Sequence, residues 1–285
     1  MLGVTLVSEV GKLYIVPTPI GNLADISHRA LTILADVDLI AAEDTRHSLK
    51  LLQHYDIQTR LISLHDHNES QRALELISKI QQGQNIALIS DAGTPLISDP
   101  GYGLVNQCRA AGISVIPLPG ACAATTALCA AGLPTDRFRF EGFLPVKMQA
   151  KHQVLSTLLL EPATSVFYES PRRIAQTVQD IVEVLGEDRE LVLAKELTKT
   201  FETFYSGTAA DCLAWLLADP NHQRGEFVLM VSGVKVNQTE VSSEAMALLT
   251  LLMKELPLKK AAALVAEHYS LKKNILYQMG LQLNK

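Results

Sequence analysis

The feature that most limits the possible folds is a regular alternation of short apolar runs with helix-length segments, which begins at Lys12. Strands are predicted at 13–16, 39–42, 61–64, 86–89 and 114–117, and helices at 29–35, 45–54 and 70–82, with another that ends before Gly112. Ser27 and Asp44 are predicted to cap the first two helices. Strands separated by helices of this length are typical of βαβ units, so the chain is predicted to begin with a mainly parallel sheet.

The pattern changes after a small-residue segment at 121–131, which is predicted to be a helix. Strand-like runs follow at 137–143, 164–168, 191–194, 200–205 and 226–231, and helices are predicted from 149 and over 172–185. This second sheet is predicted to be more antiparallel than the first. A polar linker at 237–243 and three short helices complete the chain, with breaks at Pro257 and at Tyr269 and Ser270.

The chain has 285 residues, which is longer than most domains built around a single hydrophobic core. Apolar residues make up 48% of it, enough to form a large core. We therefore predict two α/β domains, at 12–120 and 121–236, followed by a small helical module at 242–285. The net charge of −5 argues mildly against a nucleic-acid partner. Lysines are nevertheless concentrated at the end of the chain, where residues 241–285 carry six lysines against three glutamates.

The cysteines, Cys108, Cys122, Cys129 and Cys212, form no C-x-x-C pair and have no histidine at ligand spacing. We therefore expect reduced thiols and no metal. The first ten residues, MLGVTLVSEV, lack the basic start and the long apolar core of a signal peptide. No segment approaches the ~18 uninterrupted apolar residues of a membrane-spanning helix. These observations predict a cytoplasmic protein without a membrane partner.

Four segments that follow predicted strands are rich in glycine, proline and small residues: VPTPIGNL (16–23), SDAGTPLISDPG (90–101), PLPGACAA (117–124) and FYESPRR (167–173). Glycine lets the backbone approach a ligand closely, and proline stiffens a loop. In open α/β sheets ligands bind at loops that follow strands. Four such loops across two sheets therefore predict one ligand held between two domains.

Missing motifs narrow the type of ligand. The chain has no G-x-x-x-x-G-K-[ST] loop for a triphosphate and no G-x-G-x-x-G after the first strand for a dinucleotide. The four loops offer backbone groups, small side chains and a few carboxylates rather than basic residues. This chemistry suits a nucleoside-like ligand that lacks phosphates and carries positive charge, a description that S-adenosylmethionine meets.

Taken together, VPTPIGNL, SDAGTPLISDPG, PGACA and GLPTDRFRFEGFLP resemble the tetrapyrrole methylase family, also called class III S-adenosylmethionine methyltransferases. The resemblance implies two α/β domains with S-adenosylmethionine in the interdomain cleft. AAEDTRHSLKLL, LHDHNES, FYESPRR and AKELTKTFE are similar to the branch of this family that methylates the 2′-hydroxyl of a cytidine in 16S rRNA. The match extends from about residue 13 to 279; one departure is Cys122, where many members of the family have a hydroxyl residue.

The cofactor contacts are also implied by the resemblance, many of them through the main chain. They fall at Pro19, Asp91, Ala92, Gly93, Thr94, Ile97, Cys122, Ala123, Glu169, Ser170 and Leu197.

Transfer to a ribose hydroxyl needs close in-line placement and benefits from a base that accepts the proton. Candidates occur in the EDTRH and HDHN segments, each just after a predicted strand. Glu43 and Asp44 are candidate proton acceptors, Arg46 is a candidate phosphate ligand, and His65 and His67 suit either role. A structural interpretation stays open, in which Asp44 caps a helix, Arg46 pairs with it, and the histidines lie on the surface.

Seven basic residues are candidates for contact with RNA: Arg172, Lys195, Lys199, Lys259, Lys260, Lys272 and Lys273. Lys195 and Lys199 are equally consistent with pairing to neighbouring glutamates, and Arg172 with a solvated helix start. The last four belong to the C-terminal module, which resembles the small helix-turn-helix-like module at the end of the RNA-modifying branch. Their lysines either face phosphates or are merely solvated on a module that packs against a partner subunit.

The leading hypothesis is 2′-O-methylation of 16S rRNA in the small ribosomal subunit by a homodimer, the dimer being implied by the resemblance alone. One alternative is a methyltransferase that acts on a ring carbon of a small tetrapyrrole, but a macrocycle needs no basic module. Another is a non-catalytic regulator that binds nucleic acid, which leaves the four ligand-type loops unexplained.

Overall fold

The computed structural model describes residues 9–234, 241–269 and 271–283. The chain divides into two compact units, one made of Met1–Leu159 with Ala163–Ser232 and the other of Leu160–Pro162 with Gly233–Lys285. The first unit contains two five-stranded sheets, and the second contains the C-terminal helices. The domain boundary at 120 and 121 stays a prediction. Within the described ranges, no helix is both long and apolar enough to cross a membrane.

The first sheet is parallel throughout, as predicted. Its strands are β1 (Lys12–Ile15), β2 (Leu39–Ala42), β3 (Leu61–Ser63), β4 (Ile86–Ile89) and β5 (Ser114–Pro117), in the order β3-β2-β4-β1-β5. Its helices are α1 (His28–Asp36), α2 (Thr45–His54), α3 (Glu69–Gln81) and α4 (Tyr102–Ala110). We call this sheet with its four helices the first lobe.

Both faces of the first sheet are covered by helices. Leu39 and Ile86 pack in one cluster with residues of α3 and α4, whereas Ile40 and Ala87 pack in another with residues of α1 and α2. Successive residues of a strand point to opposite faces, which is why β2 and β4 are apolar and buried at every position.

The neighbouring strands β1 and β4 form the switch point of the first sheet. The chain leaves β1 for α1 on one face and leaves β4 for α4 on the other face. The two loops therefore diverge and leave a crevice at the carboxyl ends of the strands, where open α/β sheets bind ligands.

Two helix caps that the sequence predicts are confirmed. The Ser27 hydroxyl accepts a hydrogen bond from the Ala30 amide at 3.1 Å, and the Asp44 carboxylate accepts one from the Arg46 amide at 2.9 Å. Both side chains satisfy amides that lack an intrahelical partner.

The second sheet is mixed, and most of its pairings are antiparallel, as predicted. Its strands are β6 (Phe138–Phe143), β7 (Thr164–Glu169), β8 (Glu190–Lys195), β9 (Thr203–Thr208) and β10 (Phe227–Val231), in the order β6-β7-β10-β8-β9. Only β6 and β7 pair in parallel. Its helices are α5 (Ala123–Ala130), α6 (Met148–Ser156), α7 (Ile174–Leu185) and α8 (Ala209–Ala218). We call this sheet with its four helices the second lobe.

The predicted strand at 200–205 is wrong in its first half. The segment before β9 is a turn, in which the Thr198 amide donates to Glu202 Oε2 at 2.6 Å and the Glu202 amide donates to the Lys199 carbonyl at 3.1 Å. Helix α8 was not among the predicted elements; a capping box between Thr208 and Asp211 begins it.

The C-terminal module contains the three predicted helices. They are α9 (Ser243–Leu252), α10 (Leu258–His268) and α11 (Lys273–Leu283). Leu249, Val265 and Leu276, one from each helix, are fully buried in a small core of their own. Most of the predicted linker at 237–243, and Ser270 at the second predicted break, lie outside the described residues.

Candidate active site

The candidate site lies where the loops that follow β1 and β4 meet. The Thr18 and Gly93 backbones exchange two hydrogen bonds, of 2.9 and 3.0 Å, and the Thr18 hydroxyl donates to the Ser90 carbonyl at 3.2 Å. Gly93 has φ of +85°, and a Cβ there would lie 3.2 Å from Ile20 Cγ2. The backbone of this position therefore favours glycine. The hydrogen bonds hold the two loops together, and we call the joined loops the floor of the site.

The loop at 90–101 holds a strained backbone. Leu96 and Ser98 have φ of +73° and +71°, a conformation that costs on the order of 1 kcal/mol for residues other than glycine. The loop is held by its neighbours: the Thr94 hydroxyl donates to the Ala121 carbonyl at 2.9 Å. Strain that surrounding contacts maintain is common at functional sites.

A cavity of about 400 Å³, the first cavity, opens above this floor. Residues from both lobes line it, and its volume falls in the range of small-ligand sites. The residues predicted to bind the cofactor that line it are Ala92, Gly93, Thr94, Ile97, Ala123, Glu169, Ser170 and Leu197.

The wall from the second lobe is built around the buried carboxylate of Glu169. Oε1 accepts hydrogen bonds from the Ser170 amide at 2.8 Å and from Arg173 Nε at 3.2 Å, and Oε2 accepts one from the Thr177 hydroxyl at 2.8 Å. The Glu169 side chain is 0% exposed. Contact of Glu169 with a ligand therefore has to come from its backbone, as the sequence analysis expected for many of these residues.

The start of α5 is held in place by Tyr168 of strand β7. The Tyr168 hydroxyl accepts a hydrogen bond from the Ala124 amide at 3.2 Å, and burial raises the pKa of this phenol well above its usual range. Cys122, a predicted cofactor contact, lies next to this phenol and outside the lining of the first cavity. A cofactor role for Cys122 stays a prediction.

A second cavity, of about 460 Å³, adjoins the first and shares Ile20, Ala92 and Glu226 with it. The remaining predicted cofactor residues, Pro19 and Asp91, line this second cavity. Helix α2 contributes much of its wall. The predicted set is therefore divided between two adjoining cavities, apart from Cys122, which lines neither.

Four carboxylates gather near the junction of the two cavities: Glu43, Asp66, Asp91 and Asp99. Burial, helped by the charges of Glu43, Asp91 and Asp66, raises the pKa of Asp99 to about 6 despite a hydrogen bond from Ser90. Burial and the Asp91 charge also raise the pKa of Glu43. A carboxylate with a raised pKa is a suitable proton acceptor near neutral pH.

Asp99 was not among the predicted catalytic residues, although it stands in the SDAGTPLISDPG loop and lines the first cavity. Its partner Asp91 is oriented by the Asp44 amide, which donates to Asp91 Oδ1 at 3.0 Å. The signal available in the sequence was the presence of two carboxylates in one glycine-rich and proline-rich loop.

Asp44 caps helix α2 and Arg46 pairs with it, as in the structural interpretation of these two residues. Arg46 Nε and Nη2 donate to the two Asp44 oxygens at 3.1 and 2.8 Å, while the Arg46 side chain is 89% exposed. The hydrogen bonds from Arg46 hold the pKa of Asp44 well below its usual range. Because a carboxylate stabilised in this way is a poor base, the structure does not favour Asp44 as the proton acceptor, and that role stays a prediction.

His65 and His67 line neither cavity. The His65 amide and ring both contact the Asn68 side chain, at 2.9 and 3.2 Å, and the two imidazole centroids are 5.9 Å apart. His65 and His67 flank Asp66 of the carboxylate cluster without lining either cavity, and their catalytic role stays a prediction.

The structure does not favour two of the predicted RNA contacts, Lys195 and Lys199, which stay predictions. Lys195 is only 8% exposed, at the end of the inner strand β8, so it has little surface to offer a phosphate. The Lys199 ammonium lies 2.8 Å from carboxylate oxygens of both Glu196 and Glu226, so its charge is neutralised within the protein. Arg172 is exposed at the start of α7. In the C-terminal module Lys259, Lys260, Lys272 and Lys273 are all exposed.

One group of potential metal ligands occurs in the part of the chain that the structure describes: His152, Asp180 and Glu183. The Lys151 ammonium lies 2.7 Å from Asp180 Oδ2, and Gln176 donates to Asp180 Oδ1 at 2.9 Å. Because a protein cation and an amide already hold Asp180, this group is poorly suited to a metal ion.

Comparison with known families finds two matches. Residues 12–213 match the model of the tetrapyrrole (corrin/porphyrin) methylases, and residues 239–284 match the model described as the RsmI C-terminal HTH domain.

Relatives named ribosomal RNA small subunit methyltransferase I are similar over nearly the whole chain. The protein of Escherichia coli O157:H7 is 58% identical over 95% of each chain. That of Haemophilus influenzae is 59% identical over 95% of this chain and 96% of its own length, and that of Vibrio cholerae is 57% identical over 95% and 94%.

Solved structures share the fold at low identity. A cobalt precorrin-4 methyltransferase is 16% identical with a TM-score of 0.58, covering 80% of this chain and 98% of its own. A diphthine synthase is 13% identical with a TM-score of 0.58, covering 78% and 90%. Since their names point to different substrates, this likeness describes architecture and leaves the substrate open.

Proposed function

Because this chain belongs to the tetrapyrrole (corrin/porphyrin) methylase family, we propose that it methylates 16S rRNA of the small ribosomal subunit at the 2′-hydroxyl of a cytidine. It is an S-adenosylmethionine-dependent methyltransferase. The observation that carries the proposal is the identity of 57–59%, over nearly the full length of both chains, to relatives named for small-subunit rRNA methylation.

We propose that the cofactor binds in the first cavity, whose residues suit it. Gly93 and Ala123 allow close backbone approach, Leu197 offers an apolar wall, and the nearby carboxylates provide negative potential for a cation. When bound there, S-adenosylmethionine would supply a methyl group whose carbon a nucleophile attacks, and the positively charged sulfur would leave as a neutral thioether.

The protein's own chemical task is to place the ribose hydroxyl and to accept its proton. Asp99 is the proposed acceptor, because it lines the first cavity and its pKa of about 6 leaves it ionised at neutral pH. Glu43, predicted from the sequence, is proposed to support Asp99 through its charge.

The test is transfer of labelled methyl from S-adenosylmethionine to three acceptors: small ribosomal subunits reconstituted with unmodified 16S rRNA, naked 16S rRNA, and a tetrapyrrole. We expect label on the subunits, and a 2′-O-methylcytidine after nuclease digestion. Label on the tetrapyrrole alone would replace the proposal with ring methylation. No label on any acceptor, with specific binding of duplex DNA, would favour the regulator.

The C-terminal module is proposed to bind RNA through its exposed lysines. Replacing Lys259, Lys260, Lys272 and Lys273 together with Ala should weaken RNA binding and flatten its salt dependence. If each lysine neutralises one phosphate, the slope of log K against log salt falls by about 3. Filter binding over a salt series measures this slope. A shift in oligomeric state with an unchanged slope would instead assign the module to a subunit interface.

We also propose that the enzyme acts as a cytoplasmic homodimer, as the sequence resemblance implies. The four cysteines are free thiols, in keeping with a reducing compartment. Phe143, Val146 and Met148 expose apolar surface on the second lobe that a second copy can cover. Sedimentation velocity at micromolar concentration gives the mass; a fully active monomer would contradict the dimer.

A further inference from the structure

Helix α2 presents a basic face to the second cavity. His47, Lys50 and His54 lie at positions i, i+3 and i+7, on one side of the helix, and all three are exposed residues that line this cavity. Ammonium and imidazole groups donate hydrogen bonds to anions. This face has no part in the cofactor cavity or in the carboxylate cluster.

Ser48 gives independent evidence that the second cavity takes a ligand. The residue is 2% exposed and lines the cavity, yet its Oγ has no hydrogen-bond partner among the described residues. A buried hydroxyl without a partner is costly, and native proteins rarely keep one without a reason. A polar group that enters the cavity would complete the hydrogen bonding of Ser48.

The other walls of the second cavity give it a charge gradient. Asp91 lies on the side of the carboxylate cluster, while Lys199 is already neutralised by Glu226 and Glu196. The cavity therefore has the Lys50 cation and two imidazoles along α2 and an anion at Asp91. A ribose-phosphate unit has the matching polarity, since its phosphate is an anion and its hydroxyls donate hydrogen bonds to carboxylates.

We propose that the second cavity binds one ribose-phosphate unit of the RNA substrate, with the phosphate against His47, Lys50 and His54 and the ribose hydroxyls toward Asp91. Because this cavity shares Ile20 and Ala92 with the first, a ribose held in it borders the cofactor cavity. The inference rests on the proposed function, because the ribose-phosphate unit that it puts in the second cavity belongs to the RNA substrate of that function.

The first test is Ser48→Ala, which removes a hydroxyl that bonds to no described residue. The melting temperature should stay the same or rise, because no internal hydrogen bond is lost. The KM for reconstituted small subunits should rise about three- to tenfold, the value of one hydrogen bond to the substrate. A clear loss of thermal stability would mean that Ser48 serves the fold, and would overturn this part of the inference.

The second test is Lys50→Ala, with Arg60→Ala as its matched control. Both residues are exposed cations of the first lobe, but Arg60 directly precedes β3, at the amino ends of the parallel strands, whereas the candidate site lies at their carboxyl ends. Lys50→Ala should raise the KM for subunits about tenfold and flatten the salt slope by about 0.7, while Arg60→Ala changes neither. Calorimetry should give wild-type affinity for S-adenosylmethionine in both variants.

The outcomes separate this inference from the proposed function. If the wild-type enzyme methylates subunits and both Ser48→Ala and Lys50→Ala keep wild-type KM values, the RNA subsite is wrong and the function stands. If the two variants lose affinity for S-adenosylmethionine instead, the second cavity belongs to the cofactor and the inference fails. If the wild-type enzyme methylates no RNA, the proposed function is wrong, and the proposed RNA subsite is wrong as well.

Discussion

Asp99→Asn is expected to lower kcat by about 10²–10⁴-fold while the affinity for S-adenosylmethionine changes by only a few fold. Asn keeps the shape of the side chain but cannot accept the proton of the ribose hydroxyl. In the wild-type enzyme kcat/KM should rise with pH through about 6 and then level off, because Asp99 acts only when ionised. Single-turnover methyl transfer over pH 5–8 measures both effects.

The same substitution is expected to stabilise the fold at neutral pH. The pKa of Asp99 is about 6 in the folded protein, above the value near 3.9 of an unfolded aspartate. The folded state therefore holds the proton to higher pH, and ionising Asp99 lowers the free energy of unfolding as pH rises through about 4 to 6. The melting temperature of Asp99→Asn should exceed that of the wild type at pH 8 and approach it at pH 4.

The combination of lower activity with higher stability distinguishes a catalytic carboxylate from a structural one. Glu75→Gln makes the equivalent change at an exposed position of α3 and should leave turnover unchanged. If Asp99→Asn keeps wild-type turnover and Glu43→Gln loses it, the acceptor is Glu43. Normal turnover in both variants would remove the carboxylate cluster from the mechanism.

Much of the fold is predictable because its signals are local. Strand runs such as 86–89, and caps such as Ser27, depend on residues a few positions apart, and the structure has them where the sequence places them. The strand predicted to begin at residue 200 shows where such local signals are insufficient. The turn there depends on Glu202, whose side chain accepts a hydrogen bond from the Thr198 amide, and the apolar pattern does not report such a bond.

The parts of the site that the sequence analysis missed depend on contacts between distant segments. Lys199 is neutralised by Glu226, which lies 27 positions away. Because the two residues are so far apart in the chain, the sequence alone does not show that this charge is already paired. Burial is the main cause of the raised pKa of Asp99, and the charges of Glu43 and Asp66, which come from loops after two other strands, add to it. The basic face of α2 is different, since His47, Lys50 and His54 stand at helical spacing and could have been recognised from the sequence.

Asp180→Ala is expected to cause the largest loss of stability among these variants. Asp180 Oδ2 lies 2.7 Å from the Lys151 ammonium, and the two side chains are only 2% and 5% exposed. Removing the carboxylate leaves a buried ammonium without its counter-ion, which costs about 3–5 kcal/mol in comparable sites. The melting temperature of the protein should fall by roughly 10 °C.

Asp180→Ala should also perturb the cofactor cavity, because a chain of buried hydrogen bonds joins the ion pair to the cavity wall. Lys151 donates to the Thr177 hydroxyl at 3.3 Å, and Thr177 donates to Glu169, which in turn accepts from the Ser170 amide. Because Glu169 and Ser170 line the first cavity, Asp180→Ala should weaken binding of S-adenosylmethionine at temperatures where the fold persists. Calorimetric titration at 15 °C measures this affinity.

A paired replacement separates the buried charge from the packing. Lys151→Met with Asp180→Leu removes both charges and keeps similar volume, so it should recover most of the stability that Asp180→Ala loses. Gln179→Ala, on the same helix α7, removes only a hydrogen bond to Glu183 and should change the melting temperature little. If Asp180→Ala melts like the wild type, Lys151 finds another partner or water, and the ion pair does not support the cavity wall.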